Sequence, residues 1–243
     1  MILPCSAPPE SSVRRRPVEW RLAAIAPVAL LSACSGPLSA LDPAGPAAGA
    51  VATLWWIMFW GATVLFLLVG ALYFAAYARP AALARFSSAQ WIVGGGLVMP
   101  TVVLIGLITA AFVLGERLIP RPLADPPLRV FAQAEQWTWR FGYEDGDALT
   151  RELHIPAGQP VDIVVTTADV IHSFWVPRLG GKIDAIPGHE NVLRLEADRP
   201  GTYRGVCAEF CGTGHTDMPF TIVAHAPDDY ETALRQARAE AAR

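Results

Sequence analysis

Two long uncharged stretches constrain this chain more than any other feature. Residues 51–76 run for 26 positions, and residues 91–115 for 25, without a single Asp, Glu, Lys or Arg. At about 1.5 Å of rise per helical residue, either crosses a hydrocarbon core of ~30 Å. In lipid a spanning backbone must satisfy its own hydrogen bonds, so both stretches are expected to be helices, together a transmembrane hairpin over 51–118. Trp55, Trp56 and Trp60 crowd one end of the first stretch, as an interfacial aromatic belt does. Pro100 falls inside the second; a proline at membrane depth is tolerated where neighbouring helices cover the freed carbonyl. Arg79 and Arg85 lie between the stretches with no acid beside them. By the positive-inside rule that connection is cytoplasmic, and both outer ends face the opposite side.

The flanks agree with this topology. Arg14, Arg15, Arg16 and Arg21 supply a basic start, and residues 22–33 form an apolar run of twelve, too short to span comfortably. The run ends in Leu31-Ser32-Ala33-Cys34, which resembles a bacterial lipoprotein cleavage box. That resemblance implies a signal peptide over 1–33, cleaved before Cys34, with lipid attached to Cys34. Residues 34–50, rich in Pro, Gly and Ala, read as a linker.

Beyond residue 119 the composition changes. Pro120, Pro122, Pro126 and Pro127 mark an extended connector. Strand-like runs follow at 129–143, 151–155, 161–167, 191–196, 202–206 and 220–225, punctuated by Asp145-Gly146, Pro156-Ala-Gly158, Pro187-Gly188 and Pro200-Gly201. Many short strands with Gly/Pro turns indicate a small β-sandwich or barrel over 119–226. The tail, 227–243, is Ala-rich with mixed charges and is expected to be a solvated surface helix. With 53% hydrophobic and 17% charged residues in 243, the chain fits a membrane protein carrying one modest soluble domain.

The chemistry concentrates in Cys207-Ala-Glu-Phe-Cys211-Gly-Thr-Gly-His215-Thr-Asp-Met218. Two thiols, an imidazole and a thioether fall within twelve residues. Soft sulfur ligands with a borderline imidazole suit copper, whereas hard ions want oxygen. Zinc also takes Cys and His; Met218, rarely a zinc ligand, tips the balance toward copper. Alternatively Cys207 and Cys211 pair as a disulfide, Met218 fills a core and His215 sits in a loop. A second stretch, Asp169-Val-Ile-His172-Ser-Phe-Trp175-Val-Pro177, supplies a histidine at the end of a strand-like run, free to close a site in space.

These two stretches resemble subunit II of the haem-copper respiratory oxidases, in the cytochrome c oxidase branch. The resemblance implies a cupredoxin-like Greek-key barrel holding two copper ions as a dinuclear copper A centre. Cys207 and Cys211 would bridge both coppers, and His172 and His215 would each bind one. Met218 and the backbone carbonyl of Glu209 would be weak ligands. Gln136-Trp137-Thr-Trp139, placed on the first long strand, is similar to a family stretch in which the first Trp accepts electrons from cytochrome c, a role carried to Trp137; the other reading is that both tryptophans pack one barrel face. Lys182-Ile-Asp184-Ala-Ile-Pro187-Gly188 resembles a stretch facing subunit I. There the Glu209 side chain would bind a magnesium, with Asp184 nearby.

The implied protein is a subunit of a proton-translocating cytochrome-c oxidase in the bacterial inner membrane, its copper domain periplasmic. Its partners would be subunit I with its haems, other oxidase subunits, cytochrome c and the bilayer, with no nucleic acid. Residues 119–243 carry 12 Lys/Arg against 18 Asp/Glu, a net of −6, which would speed encounter with a basic partner. Many relatives carry a Glu about two turns before the helix proline; here Val93 and Gly94-Gly95-Gly96 occupy that neighbourhood. The rivals are a quinol oxidase subunit II, which lacks the copper ligands, a membrane-anchored copper chaperone for oxidase assembly, which would be thioredoxin-like, and a nitrous oxide reductase, which lacks two spans.

Overall fold

The structure, a computed structural model, describes residues 35–120, 122–144 and 146–242. The expected signal peptide and the lipidated Cys34 lie outside the described residues.

The first apolar stretch forms helix α1, Pro46–Ala78, which begins five residues ahead of the uncharged run. Residues 44–50, expected as linker, are instead docked. Ala44, Ala47, Ala48 and Ala50 are buried, and the Ala44 and Ala48 amides donate to the carbonyls of Arg178 (2.7 Å) and Leu179 (3.2 Å). Gly45 allows the contact, because a Cβ there would collide with the Glu196 carbonyl. Arg178 adds an ion pair to Asp42 at 3.0 Å. The small side chains that make this stretch look like a linker are what let a helix start flush against the β domain.

The second stretch opens with a capping box, in which the Ser87 hydroxyl accepts from the Gln90 amide and the Gln90 side chain accepts from the Ser87 amide. Residues Trp91–Val98 wind as a π-helix, and α2 follows over Met99–Gly115. Pro100 explains the change. In a regular α-helix its ring would clash with the carbonyl four residues back, and it lacks an N–H. Wide turns upstream open the ladder, so that the Met99 amide reaches Gly94. Helix α1 and the continuous helical run Ser88–Gly115 are each long and apolar enough to cross a membrane, and no part of their most apolar windows is buried within the chain. Phe66, Tyr73 and Phe112 are 73% exposed or more, as the lipid-facing or subunit-facing surface of a span is.

The rest is two five-stranded sheets packed face to face, the form taken here by the cupredoxin-like barrel. One sheet has the order β3-β2-β1-β5-β8, from Gly146–Thr150, Thr138–Tyr143, Leu128–Glu135, Val161–Thr167 and Asn191–Leu195. The other has the order β4-β10-β9-β6-β7, from Glu152–Pro156, Pro219–His225, Gly201–Cys207, His172–Trp175 and Ile183–Ala185. The β1–β5 and β4–β10 pairs are parallel and the others antiparallel. The strand expected over 129–143 is a hairpin, with Gln136 and Trp137 as its turn.

Alternating inward residues fill the space between the sheets: Val130, Ala132 and Phe141 from one, Phe174, Phe220 and Ile222 from the other, all at most 5% exposed. Phe174 and Phe220 stack with centroids 4.5 Å apart, and Gly205 leaves the space that the Phe220 ring takes. Helix α3, Pro227–Ala241, lies against β3, β4 and β10 and buries Tyr230 and Leu234, so the tail is partly structural. The β1–β2 turn, the β5–β6 connection and the β9–β10 loop gather at one end of the domain.

Candidate metal centre

Strand ends deliver two of the side chains. His172 is the first residue of β6 and Cys207 the last of β9, and these antiparallel strands pair Phe174 with Cys207. His172 is fully buried and Cys207 6% exposed. The His172 Nδ1 stands 3.8 Å from the Cys207 Sγ. The β9–β10 loop then folds back. Gly212 adopts a left-handed φ of +120°, a turn of 3-10 helix covers His215–Asp217, and the Cys207 amide donates to the Met218 carbonyl. This brings the Cys211 Sγ to 3.8 Å from the Cys207 Sγ, 3.6 Å from the His215 Nδ1 and 3.9 Å from the Met218 Sδ. The Glu209 carbonyl lies 3.3 Å from the Cys207 Sγ. Met218 is 1% exposed.

The six positions singled out in the sequence therefore converge. Both cysteines are free thiols, which overturns the disulfide alternative in this structure. His172, Cys207 and Cys211 offer ligand atoms within 4.8 Å of one another, all buried, as a group that could hold a metal. Burial first, and then the neighbouring Cys207, push the Cys211 thiol up to about 11. A metal bound there must displace that proton, so loading couples to proton release.

Around these atoms lies a layer of hydrogen bonds. The Gln136 Nε2 and the Trp137 Nε1 both donate to the Cys211 carbonyl, at 2.8 and 3.2 Å. The indole lies across Gly214, where any Cβ would strike it. Trp137 is 39% exposed and Trp139 only 2%, so the two do not pack one face. Trp139 belongs to the core, edge-on to Phe174. On the far side of His172 sits Asp169. Its Oδ1 is 2.9 Å from the His172 Nε2, and its Oδ2 accepts from the Gln136 amide at 2.7 Å. Desolvation opposes the charge, yet hydrogen bonds from His172, the Gln136 and Val170 amides and Thr167 outweigh it and hold the carboxyl at about 2. The signal was present as an acid three residues before a candidate ligand, the spacing at which a turn folds one side chain onto the other.

The expected magnesium position is arranged differently. The Lys182 Nζ stands 3.2 Å from the Asp184 Oδ1 and 3.3 Å from the Glu209 Oε2. The Asp184 bond leads the causes that raise the Lys182 pKa. An ammonium already serves both carboxylates, so as arranged these residues do not fit a divalent ion.

Residues 148–225 match the family described as cytochrome c oxidase subunit II, periplasmic domain. The chain is also 37% identical over 148 residues to cytochrome c oxidase subunit 2 of Alkalihalophilus pseudofirmus, covering 59% of this chain and 43% of that one. Over these residues the chain is similar to cytochrome c oxidase subunit II. The subunit 2 of Thermostichus vulcanus is 45% identical over 114 residues, covering 47% and 35%. Less than half the length of each of these two relatives is matched. Among solved structures, the periplasmic domain of subunit II of cytochrome oxidase from Bradyrhizobium japonicum aligns with a TM-score of 0.45 and 32% identity, over 49% of this chain and 97% of that one. Two exposed apolar helices, together with this similarity, support a membrane-anchored protein with an extracytoplasmic domain.

Proposed function

We propose that this chain is the electron-accepting subunit of a bacterial inner-membrane cytochrome c oxidase, taking electrons from cytochrome c and delivering them toward haem in subunit I. The observation that carries this reading is the convergence of two free thiols, two imidazole nitrogens and a thioether around one buried point. A blue-copper site needs one Cys with two His and a Met; a second Cys suits a pair of coppers. Cys207 and Cys211 would bridge the coppers, His172 and His215 would each ligate one, and Met218 and the Glu209 carbonyl would ligate weakly. A bound copper pair supplies a one-electron store. The chain's own contribution is a dry and rigid cage. Strands β6 and β9 fix one side, while Gln136 and Trp137 pin the loop through the Cys211 carbonyl.

Trp137 is then the residue at which electrons arrive: a partly exposed indole whose N–H bonds directly to the backbone of a ligand. The net charge of −6 over residues 119–243 would steer a basic cytochrome toward this domain. The copper ligands that a quinol oxidase subunit lacks are all present. The two sheets also differ from the α/β layout of a thioredoxin-like chaperone.

The test loads the full-length protein with copper in detergent. Two coppers per chain and an EPR signal from one electron shared by both are expected. A single copper, or zinc retained in its place, overturns the reading. With that centre formed, Trp137→Gln should slow electron transfer from cytochrome c by orders of magnitude and leave the copper spectrum near that of the parent. A parent-like rate removes Trp137 from the route.

A further inference from the structure

We propose that Asp169 is a positioning residue of the metal centre, one carboxylate that fixes both the ligating nitrogen of His172 and the seat of the Gln136–Trp137 turn. The inference rests on the copper-binding reading above, but its first consequence concerns the metal-free chain.

A carboxylate has about four acceptor sites and no donor. Asp169 has four partners around it, three of them at one oxygen. Its Oδ1 takes the Val170 amide at 2.7 Å, the His172 Nε2 at 2.9 Å and the Thr167 hydroxyl at 3.2 Å. Its Oδ2 takes the Gln136 amide at 2.7 Å. Val170 and Thr167 are near neighbours in the chain, so they hold the carboxylate to its own loop. The other two partners are the ones it positions.

At His172 the effect is on the tautomer. An ionised acceptor 2.9 Å from Nε2 requires the hydrogen to be there. In the neutral ring Nδ1 is then the lone-pair nitrogen, and it is the one that faces the Cys207 sulfur. A neutral imidazole left to itself would divide between two tautomers, and only one of them presents a lone pair to the sulfurs. Ligating histidines are commonly oriented through their second nitrogen, and losing such a partner typically costs about 10–100-fold in metal affinity.

At Gln136 the effect is on the electron-accepting turn. Gln136 lies 33 residues upstream of Asp169. Its amide is tied to the carboxylate while its side chain, with the Trp137 indole, is tied to the Cys211 carbonyl. The turn is therefore clamped from both sides of the centre, and Asp169 is the link between the His172 side and the Trp137 side.

The two oxygens allow the two roles to be separated. In Asp169→Asn the amide oxygen can keep the place of Oδ1 and its bond to His172. The NH2 group then meets the Gln136 amide, donor against donor. Asp169→Ala removes both bonds. In metal-free, full-length protein labelled with 15N-histidine, NMR should find the Nε2–H tautomer of His172 in the parent and in Asp169→Asn, and a mixture in Asp169→Ala. After loading, Asp169→Ala should bind copper about 10–100-fold more weakly in competition with a chelator. Its visible spectrum and reduction potential should shift, while Asp169→Asn stays close to the parent in affinity.

An Asp169→Ala protein with the parent's tautomer and copper affinity overturns the proposal. So does an Asp169→Asn protein that loses the Nε2–H tautomer while the fold is retained, which keeps the proposal falsifiable should the alanine variant not fold. If the parent binds no copper pair, the functional reading fails by itself, and the tautomer measurement still decides the role of Asp169.

Discussion

A methyl group at Gly214 tests how Trp137 is seated. In Gly214→Ala the new Cβ would stand 2.6 Å from the indole Cγ and 2.8 Å from Cε3, with Cδ2 nearer still. Non-bonded carbons rest about 3.5–4.0 Å apart, so the ring must withdraw by roughly 1 Å. Its hydrogen bond to the Cys211 carbonyl is 3.2 Å long, already at the outer edge of the usual range, and such a withdrawal breaks it. One neutral hydrogen bond contributes about 0.5–1.5 kcal/mol, and overpacking costs about 1–3 kcal/mol. The indole is 39% exposed and can swing outward, which places the cost at the low end, about 1 kcal/mol. For a domain of this size that lowers the melting temperature by about 4 °C. Gly181→Ala is the control, because a Cβ there meets nothing within 4 Å. Thermal denaturation, copper content and stopped-flow reduction by cytochrome c should show Gly214→Ala slightly less stable, fully loaded and slower to accept electrons. A variant as fast as the parent would show that the contact between indole and Cys211 carbonyl does not matter for electron acceptance. One that loses its copper would show that Gly214 shapes the cage and not the indole.

Other perturbations separate packing from ligation. Met218→Leu conserves volume and should cost under about 1.5 kcal/mol in metal-free denaturation while shifting the copper potential, whereas Met218→Ala should cost about 2–5 kcal/mol with or without copper. Phe174→Ala, deep between the sheets, should cost about 3–5 kcal/mol, read from denaturation midpoints. His154 bonds the His225 Nε2 through its Nδ1 at 2.9 Å, and burial followed by repulsion from His225 lowers its pKa, against the pull of Glu152 and Glu240. The unfolded chain then binds more protons just below the ordinary value of 6.5, so stability should be full above that pH and fall as the pH drops through it. Titrating the melting temperature from pH 8 to 5 checks this, and His154→Gln should flatten the slope.

The candidate ligands were legible in the sequence because a metal needs particular side chains at short range. C-x3-C-x3-H-x2-M places four donors on one loop, and only His172 had to be found at a distance. The spans were legible because lipid tolerates no charge. What the sequence hid was set by backbone detail. The β1–β2 turn has no Gly, Pro, Asn or Asp, so 129–143 read as one strand and Trp137 as a strand residue. Residues 44–50 read as linker because Ala and Gly make close contact possible without announcing it. Pro100 was visible, but its effect, eight residues of π-helix upstream, depends on how the wider hydrogen-bond ladder absorbs it.

Asp169 and Lys182 were harder to place for a different reason: spacing hints at the contact of Asp169 with His172, but a charged residue in a loop does not fix all the partners it meets. The structure sets Asp169 against His172 and Lys182 between two carboxylates, with different consequences. Asp169 is held by four donors and so can impose a tautomer on a ligand. Lys182 bridges two carboxylates while 46% exposed, a geometry in which water screens the pair and the net contribution to stability is small. What each charge holds therefore separates their roles. Replacing Lys182 with Met should leave folding and copper binding unchanged and free the Glu209 side chain, whose carbonyl alone faces the Cys207 sulfur. If Lys182→Met instead weakens copper binding, the Glu209 side chain and its carbonyl act as one unit, and the ammonium belongs to the support of the centre alongside Asp169.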